Sequence, residues 1–208
     1  MRDTLEDLYF GNITPNDQIV KSGTALKKAM EQSAECEEKL TALLEDKEKT
    51  LLLRLINAEN EIGSTMALEN FILGFRLGMR LAVEAMGRAY VPYSGYQVGA
   101  ALLCADGTVY QGCNIENASY TPTICAERNA FFKAVYDGKR EFSAIAVVGG
   151  KNGVISGIFP PCGVCRQVMR EFCRDDFCIY MGGAGGAYET YTLAELLPCS
   201  FSAAEHMK

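Results

Sequence analysis

The sequence predicts an α/β sandwich preceded by an all-helical segment, and three observations predict it. Through residues 1–80 apolar positions recur at helical spacing. After "GRAYVPYSGY" the pattern changes to short β-rich runs. These runs alternate with amphipathic stretches in the order ββαβαβ(β). That order calls for an opening hairpin followed by strands joined through crossover helices on a mixed sheet. The predicted division is a helical domain, 1–80, and a second domain, 81–208.

Taken in order, "TPND" at 14–17 offers Thr14 as a helix cap, Pro15 in the first turn and an acid soon after, opening a helix to about Met30. A second helix is predicted from Ala34 to Ile62, where apolar residues fall at 40, 43, 44, 51, 52, 55, 56 and 62. Gly63 is its expected end. A third runs from about Met66, with Phe71, Ile72, Phe75, Met79, Ala82, Val83 and Met86 on one stripe. Gly74 and Gly78 sit four apart, a spacing for close helix packing, since Arg76 and Arg80 do not suit a membrane helix. Next come the strand "YQVGAALLC" (96–104), an Asp106-Gly107 turn and the strand "TVYQGCNI" (108–115), a hairpin. A helix from about Cys125 to Tyr136 precedes the strand "AIAVVGG" (144–150). "CGVCRQVMREFC" (162–173) is an amphipathic helix, "FCIYMG" (177–182) a strand and "YETYTL" a last one before "AELL".

Composition narrows the function. The chain has 208 residues, 49% hydrophobic and 22% charged, a globular balance. Net charge is −6; residues 1–85 hold 10 Lys/Arg against 15 Asp/Glu, and residues 86–208 hold 10 against 11. Neither part is a basic surface for a nucleic-acid polymer. The acidic start "MRDTLEDLYFGN" does not read as a signal peptide, and no apolar run reaches the about 18 residues of a membrane span. A cytoplasmic protein without membrane contact is expected. Nine cysteines in a reducing compartment suit metal ligation and burial better than a disulfide framework. The single histidine, His206, stands in a polar tail, so a metal site here must rest on sulfur.

"FPPCGVCRQV" (159–168) contains a C-x-x-C, which by itself suits a redox pair, half of a structural zinc site or two ligands of a catalytic metal. Thirty-seven residues before Cys162 lies Cys125 in "TICAERNAFFKAV". Cys125, Cys162 and Cys165 thus form a candidate three-thiolate set, each at a helix start after a loop. Three protein ligands with an open fourth position is a catalytic arrangement, and Cys173 stands about two turns too far along to close it. Arg128, three residues after Cys125, can approach the thiolates and offset their charge. Glu127, at a helix entry, can face the same cavity and move protons without binding metal.

"CAER" followed by "PCGVCRQ" resembles the zinc-dependent cytidine deaminases, specifically the short, all-cysteine type that assembles as homotetramers. "YVPYSGYQVGAALL", "GCNIENASY" and the ending "ELLPCSF" extend the resemblance over roughly residues 85–202. It implies a cytidine-deaminase-like α/β/α sandwich with a mixed five-stranded sheet. It implies zinc (Zn2+) on Cys125, Cys162 and Cys165, Glu127 as the proton-transferring residue, and hydrolytic deamination of cytidine or deoxycytidine in pyrimidine salvage. By the same resemblance Asn114 and Glu116 bind ribose hydroxyls, Tyr96 stands near the base, Ala126 contacts substrate, Phe201 closes the pocket, and Arg128 and Gln167 surround the zinc thiolates. Tyr120 lies in a loop able to reach a neighbouring subunit. Two positions depart from the family: Tyr96, where Phe is usual, and Pro160, where Ser or Thr is common. The helical front end departs too; it belongs to no activity the residues reveal, and a protein partner for it is unidentified. Two other readings stay open: a deaminase of another aminopyrimidine nucleoside such as blasticidin S, and a zinc-stabilised scaffold without catalysis whose helical part binds a partner.

Overall fold

The computed structural model describes residues 25–202. The predicted cap at Thr14 and Pro15, and His206, lie outside the described residues. The chain divides into two units, Met1–Gly74 and Phe75–Lys208.

Two helices carry the described front end, α1 (Ala25–Leu43) and α2 (Asp46–Met86). Their boundaries differ from the sequence reading. No break occurs between Met30 and Ala34, where "MEQSAE" holds neither Gly nor Pro to stop a helix. The break falls instead at Leu44–Glu45. There the Glu45 carbonyl accepts the Lys49 N–H at 2.8 Å, and Asp46 and Glu48 place acids in the new first turn, where the helix dipole favours them. Nor does Gly63 end a helix: α2 runs through it as a single element of 41 residues. A glycine stops a helix by turning left-handed, and Gly63 does not adopt a positive φ. The Ser64 hydroxyl bonds back to the Glu61 carbonyl at 3.0 Å, so the turn stays closed at a cost of about 1 kcal/mol relative to Ala.

The second unit is a mixed sheet with helices on both faces. Strands β1 (Tyr96–Cys104), β2 (Val109–Cys113), β3 (Phe142–Lys151), β5 (Cys178–Gly182) and β6 (Tyr188–Thr192) lie in the order β2-β1-β3-β5-β6. β1 and β2 form the predicted hairpin, with Gly107 at φ +86° and the Asp106 carboxylate accepting the Thr108 N–H at 3.0 Å. β3 and β5 are the parallel pair, in register from Ala144↔Cys178 to Val148↔Gly182; helix α4 (Gly163–Phe172) crosses between them. Helix α3 (Ala126–Tyr136) links β2 to β3, and the short α5 (Leu193–Leu196) follows β6. A further strand, β4 (Val154–Gly157), pairs antiparallel with β3 and was not predicted; its four residues, the last of them Gly157, are too short for a period to show.

Strand alternation sorts the core. Ala100, Leu102, Ile145 and Val147 face α3 and α4, with Ala130, Phe131 and Met169 fully buried among them. Ala101, Ala146 and Val148 face the other way, against Met79, Ala82 and Met86 in the C-terminal turns of α2. The sheet is thus covered on both faces, as the predicted α/β/α sandwich requires.

Two glycines let the helix backbones lie directly on the sheet. A Cβ on Gly99 would stand 2.0 Å from the Ala82 carbonyl oxygen; one on Gly112 would stand 2.2 Å from the Ala126 oxygen and 2.5 Å from the Ala130 nitrogen. Both neighbours are backbone and cannot swing aside. Gly112→Ala is therefore expected to destabilise the protein by about 1–3 kcal/mol, since α3 must lift off β2. Gly157→Ala, whose Cβ would meet nothing within 4 Å, is the matched control and should stay near wild type in urea denaturation midpoint.

Candidate active site

Two helix N-termini meet at the cysteines. Before α3 the chain forms a bridge between Ile115 and Ile124, then Cys125 takes extended dihedrals (φ −77°, ψ 158°) as the N-cap. Cys162 does the same before α4 (φ −67°, ψ 165°). Neither N-cap makes a side-chain capping hydrogen bond, so sulfur stands where Ser or Asp would ordinarily satisfy the first N–H groups. The prolines do not form the first turn of α4; Pro161 precedes the cap and is buried. With φ fixed and no N–H to donate, it sets the direction of entry.

Cys165 lies in the first turn of α4, buried, with its sulfur 3.5 Å from that of Cys162; the Cys162 and Cys125 sulfurs are 3.8 Å apart. All three sulfurs lie within 4.8 Å of one another. Zn–S bonds of about 2.3 Å in tetrahedral geometry require sulfur separations of about 3.8 Å, so the trio fits zinc with one position open. Among the described residues this is the one group of three or more such side chains arranged for a metal.

The surroundings stabilise negative sulfur. Arg128 Nη2 stands 3.7 Å from Cys125 Sγ and also donates to the Thr123 carbonyl at 3.1 Å, which fixes its reach. The Cys165 thiol, hydrogen-bonded to Cys125, and the Arg128 guanidinium bring the Cys125 thiol down to about 5. Cys165 moves the other way, raised by that same bond and by burial. Glu127 is 4% exposed in the first turn of α3, and burial pushes its carboxyl up to about 7. A carboxyl poised there exchanges protons readily at neutral pH. Ala126, between Cys125 and Glu127, is completely buried, its carbonyl over Gly112.

Asn114 and Glu116 follow β2, each tied to the segment entering β1. The Asn114 side chain accepts the Val98 N–H at 2.8 Å and donates to the Tyr96 carbonyl at 2.8 Å. The Glu116 carboxylate accepts the Tyr93 N–H at 3.0 Å, the Ser94 N–H at 3.2 Å and the Ser94 hydroxyl at 2.5 Å. These donors hold its pKa below the usual carboxylate range, the Ser94 hydroxyl most of all. Ser94 Oγ also accepts the Tyr96 N–H at 3.0 Å, so one hydroxyl joins Glu116 to Tyr96. The Tyr96 ring lies 6.1 Å from that of Phe159, with Lys151 Nζ 5.2 Å from its centre.

Residues 76–181 match the family model described as the cytidine and deoxycytidylate deaminase zinc-binding region. The chain belongs to that deaminase family. Residues 1–85 match a family of unknown function (DUF6809). The cytidine deaminase of Sporosarcina psychrophila is 55% identical over 119 residues, 57% of this chain and 85% of that protein. That of Halalkalibacterium halodurans is 52% identical over 122 residues, 59% of this chain and 89% of its own length. The crystal structure of cytidine deaminase from Burkholderia pseudomallei superposes with a TM-score of 0.56 at 43% identity, covering 61% of this chain and 98% of that one.

The Gln167 Nε2 donates to the Phe201 carbonyl at 2.9 Å, which ties the C-terminal segment to α4 two residues after Cys165. Arg166 supports the same joint, donating to the Pro161 carbonyl at 2.7 Å and the Leu196 carbonyl at 2.6 Å. Phe201 is 57% exposed and Tyr120 75% exposed, the latter with φ +57° and its ring 6.4 Å from Tyr93. Pro160 is exposed beside Pro161. Sequence reasoning does not single out Ser94; one serine in a turn carries no signal until the fold brings Glu116 onto it.

Replacing Cys125 or Cys162 by Ser should lower bound zinc well below one per chain by elemental analysis. Cys199→Ser, at an exposed cysteine outside the trio, should leave it unchanged.

Proposed function

We propose that the protein hydrolyses cytidine and deoxycytidine to uridine and deoxyuridine with release of ammonia. The observation that carries this reading is Glu127, buried beside three cysteine sulfurs at two converging helix N-termini. Zinc on Cys125, Cys162 and Cys165 would supply the lowered pKa of the attacking water. Three thiolates are a poor environment for that task unless their charge is offset. The Arg128 guanidinium and the positive ends of α3 and α4 provide the offset.

Glu127 takes a proton from water as its oxygen adds to C4 of the base, and returns it to N3. The remaining proton of that oxygen, now a hydroxyl on C4, passes by the same carboxylate to the amino nitrogen; the C4–N bond breaks, the C4 carbonyl forms and ammonia leaves. Its raised pKa suits both directions of transfer. Asn114 and Glu116 orient the sugar. Three of roughly four acceptor sites on the Glu116 carboxylate are filled by the chain itself, leaving one for a ribose hydroxyl. Ala126 would contact the base and Tyr96 would flank it, with Phe201 closing over them. In a single chain Cys162, Tyr96, Tyr120 and Phe201 are exposed. That openness supports a homotetramer in which neighbouring subunits finish the pocket.

The reading is tested by following the ultraviolet change on deamination of cytidine. Glu127→Gln should lower kcat about 10²–10⁴-fold while zinc content stays at wild-type level. Zinc-replete wild-type protein inert towards every aminopyrimidine nucleoside would overturn it. Ser94→Ala, which frees one oxygen of Glu116, should raise KM for cytidine roughly tenfold, about 1.4 kcal/mol, with kcat changed by no more than about twofold.

A further inference from the structure

β2 is the outermost strand of the sheet, so one of its edges has no strand beside it. In an antiparallel pair alternate residues turn both backbone groups away from the partner strand. The Asn114 N–H donates to the Val98 carbonyl at 3.2 Å, which places the outward-turned carbonyls at Gln111 and Cys113. Side chains of α3 meet both. The Asn129 Nδ2 donates to the Cys113 carbonyl at 2.9 Å, and the Lys133 Nζ donates to the Gln111 carbonyl at 2.5 Å. The two steps match: four residues of helix rise about 6 Å, and two residues of strand span about 6.6 Å. α3 lies close enough for this because its backbone rests on Gly112, between the two carbonyls.

The two bonds differ in what they hold. Lys133 is exposed and stands about two turns beyond Cys125. Asn129 is half-buried, one turn after Cys125 and two residues after Glu127. Its partner is the carbonyl of the Cys113–Asn114 peptide, whose N–H is the one bound to Val98. That peptide is therefore held from β1 on one side and from α3 on the other. The Ile115–Ile124 bridge makes a second tie, with both of its backbone bonds at 3.0 Å. Together the ties bracket the site: Cys113 and Ile115 stand on either side of Asn114, and Ile124 and Asn129 on either side of Cys125 and Glu127. The cleft beside Asn129 and Lys133 has a volume of about 60 Å³, room for water but not for a nucleoside, so Asn129 binds no substrate of its own there.

We propose that Asn129 is a positioning residue: it fixes Asn114 relative to Glu127, so that the ring hydroxyls of the nucleoside meet Asn114 while the base meets Glu127. The proposal rests on the deaminase reading and adds to it a residue outside the pocket on which sugar binding depends. Without the Asn129 amide the Cys113–Asn114 peptide is held by β1 alone. α3 and Asn114 then lose their common reference point at one end of the bracket.

Steady-state kinetics on the full-length, zinc-loaded protein tests it. Asn129→Ala should raise KM for cytidine roughly tenfold, with kcat changed by no more than about threefold and zinc content at wild-type level. Asn129→Asp has the same shape with an acceptor in place of the donor. It should raise KM at least as far, and it carries the test if Asn129→Ala does not fold. Lys133→Met, which removes the neighbouring edge bond, should lower the urea midpoint as much as Asn129→Ala does and leave KM within about twofold. The inhibition constant of dideoxycytidine, which lacks both ring hydroxyls, should change by no more than about twofold in Asn129→Ala. Nor should Asn129→Ala raise KM further in a protein already carrying Asn114→Ala. A purely structural role would raise KM and that inhibition constant alike, or add its full factor to Asn114→Ala; either result overturns the proposal. Wild type inert towards cytidine would overturn the deaminase reading and the proposal with it. Active wild type with KM unchanged in both Asn129 variants would overturn the proposal alone.

Discussion

Everything chemical in this protein depends on two helix N-termini being aimed at one point. α3 reaches it because its first turn lies directly on β2, with no side chain at Gly112 to hold it off. α4 reaches it because it is the crossover of the parallel β3–β5 pair, so it starts at the same end of the sheet. Cysteines serve as the caps of both helices, and a third follows in the first turn of α4. A thiolate cluster placed elsewhere on the sheet would lack both dipoles.

That geometry also sets the acid–base behaviour. Burial above all raises Glu127, while contact with a thiol and a guanidinium lowers Cys125. Two groups two residues apart therefore shift in opposite directions, one towards holding a proton and the other towards losing it. A cation among the sulfurs would meet the second tendency, and burial away from water accounts for the first. The surroundings of Glu116 are built separately, from the turn before β1. There Tyr93 and Ser94 fix Glu116 by hydrogen bonds, and Ser94 also holds the Tyr96 N–H.

The front end shows how far a periodic pattern can be read. Helices were legible there because apolar spacing survives any choice of boundary. The boundaries were not: Gly63 looked like a stop but remains helical, and the break at Leu44–Glu45 has no Gly or Pro to announce it. A glycine permits the left-handed turn without compelling it, so only the neighbouring turns decide. The second unit was clearer, because a hairpin turn marks β1 and β2 and a short apolar run marks β3, while only the four-residue β4 went unmarked. β1 spans the residues predicted for it, Tyr96–Cys104.

Contiguous motifs alone carried the order of the elements other than β4, the three cysteines, the acid two residues after Cys125 and the family they belong to. Spacing within such a motif is a local property of the chain, so it can be read without a fold. What depends on residues distant in sequence waited for the packed molecule. Folding brought Cys125 and Cys162 to 3.8 Å across 37 residues, set Ser94 against Glu116, and gave Gln167 the Phe201 carbonyl as a partner. The reason is that a side chain has several reachable partners from one backbone position, and packing of the elements selects among them.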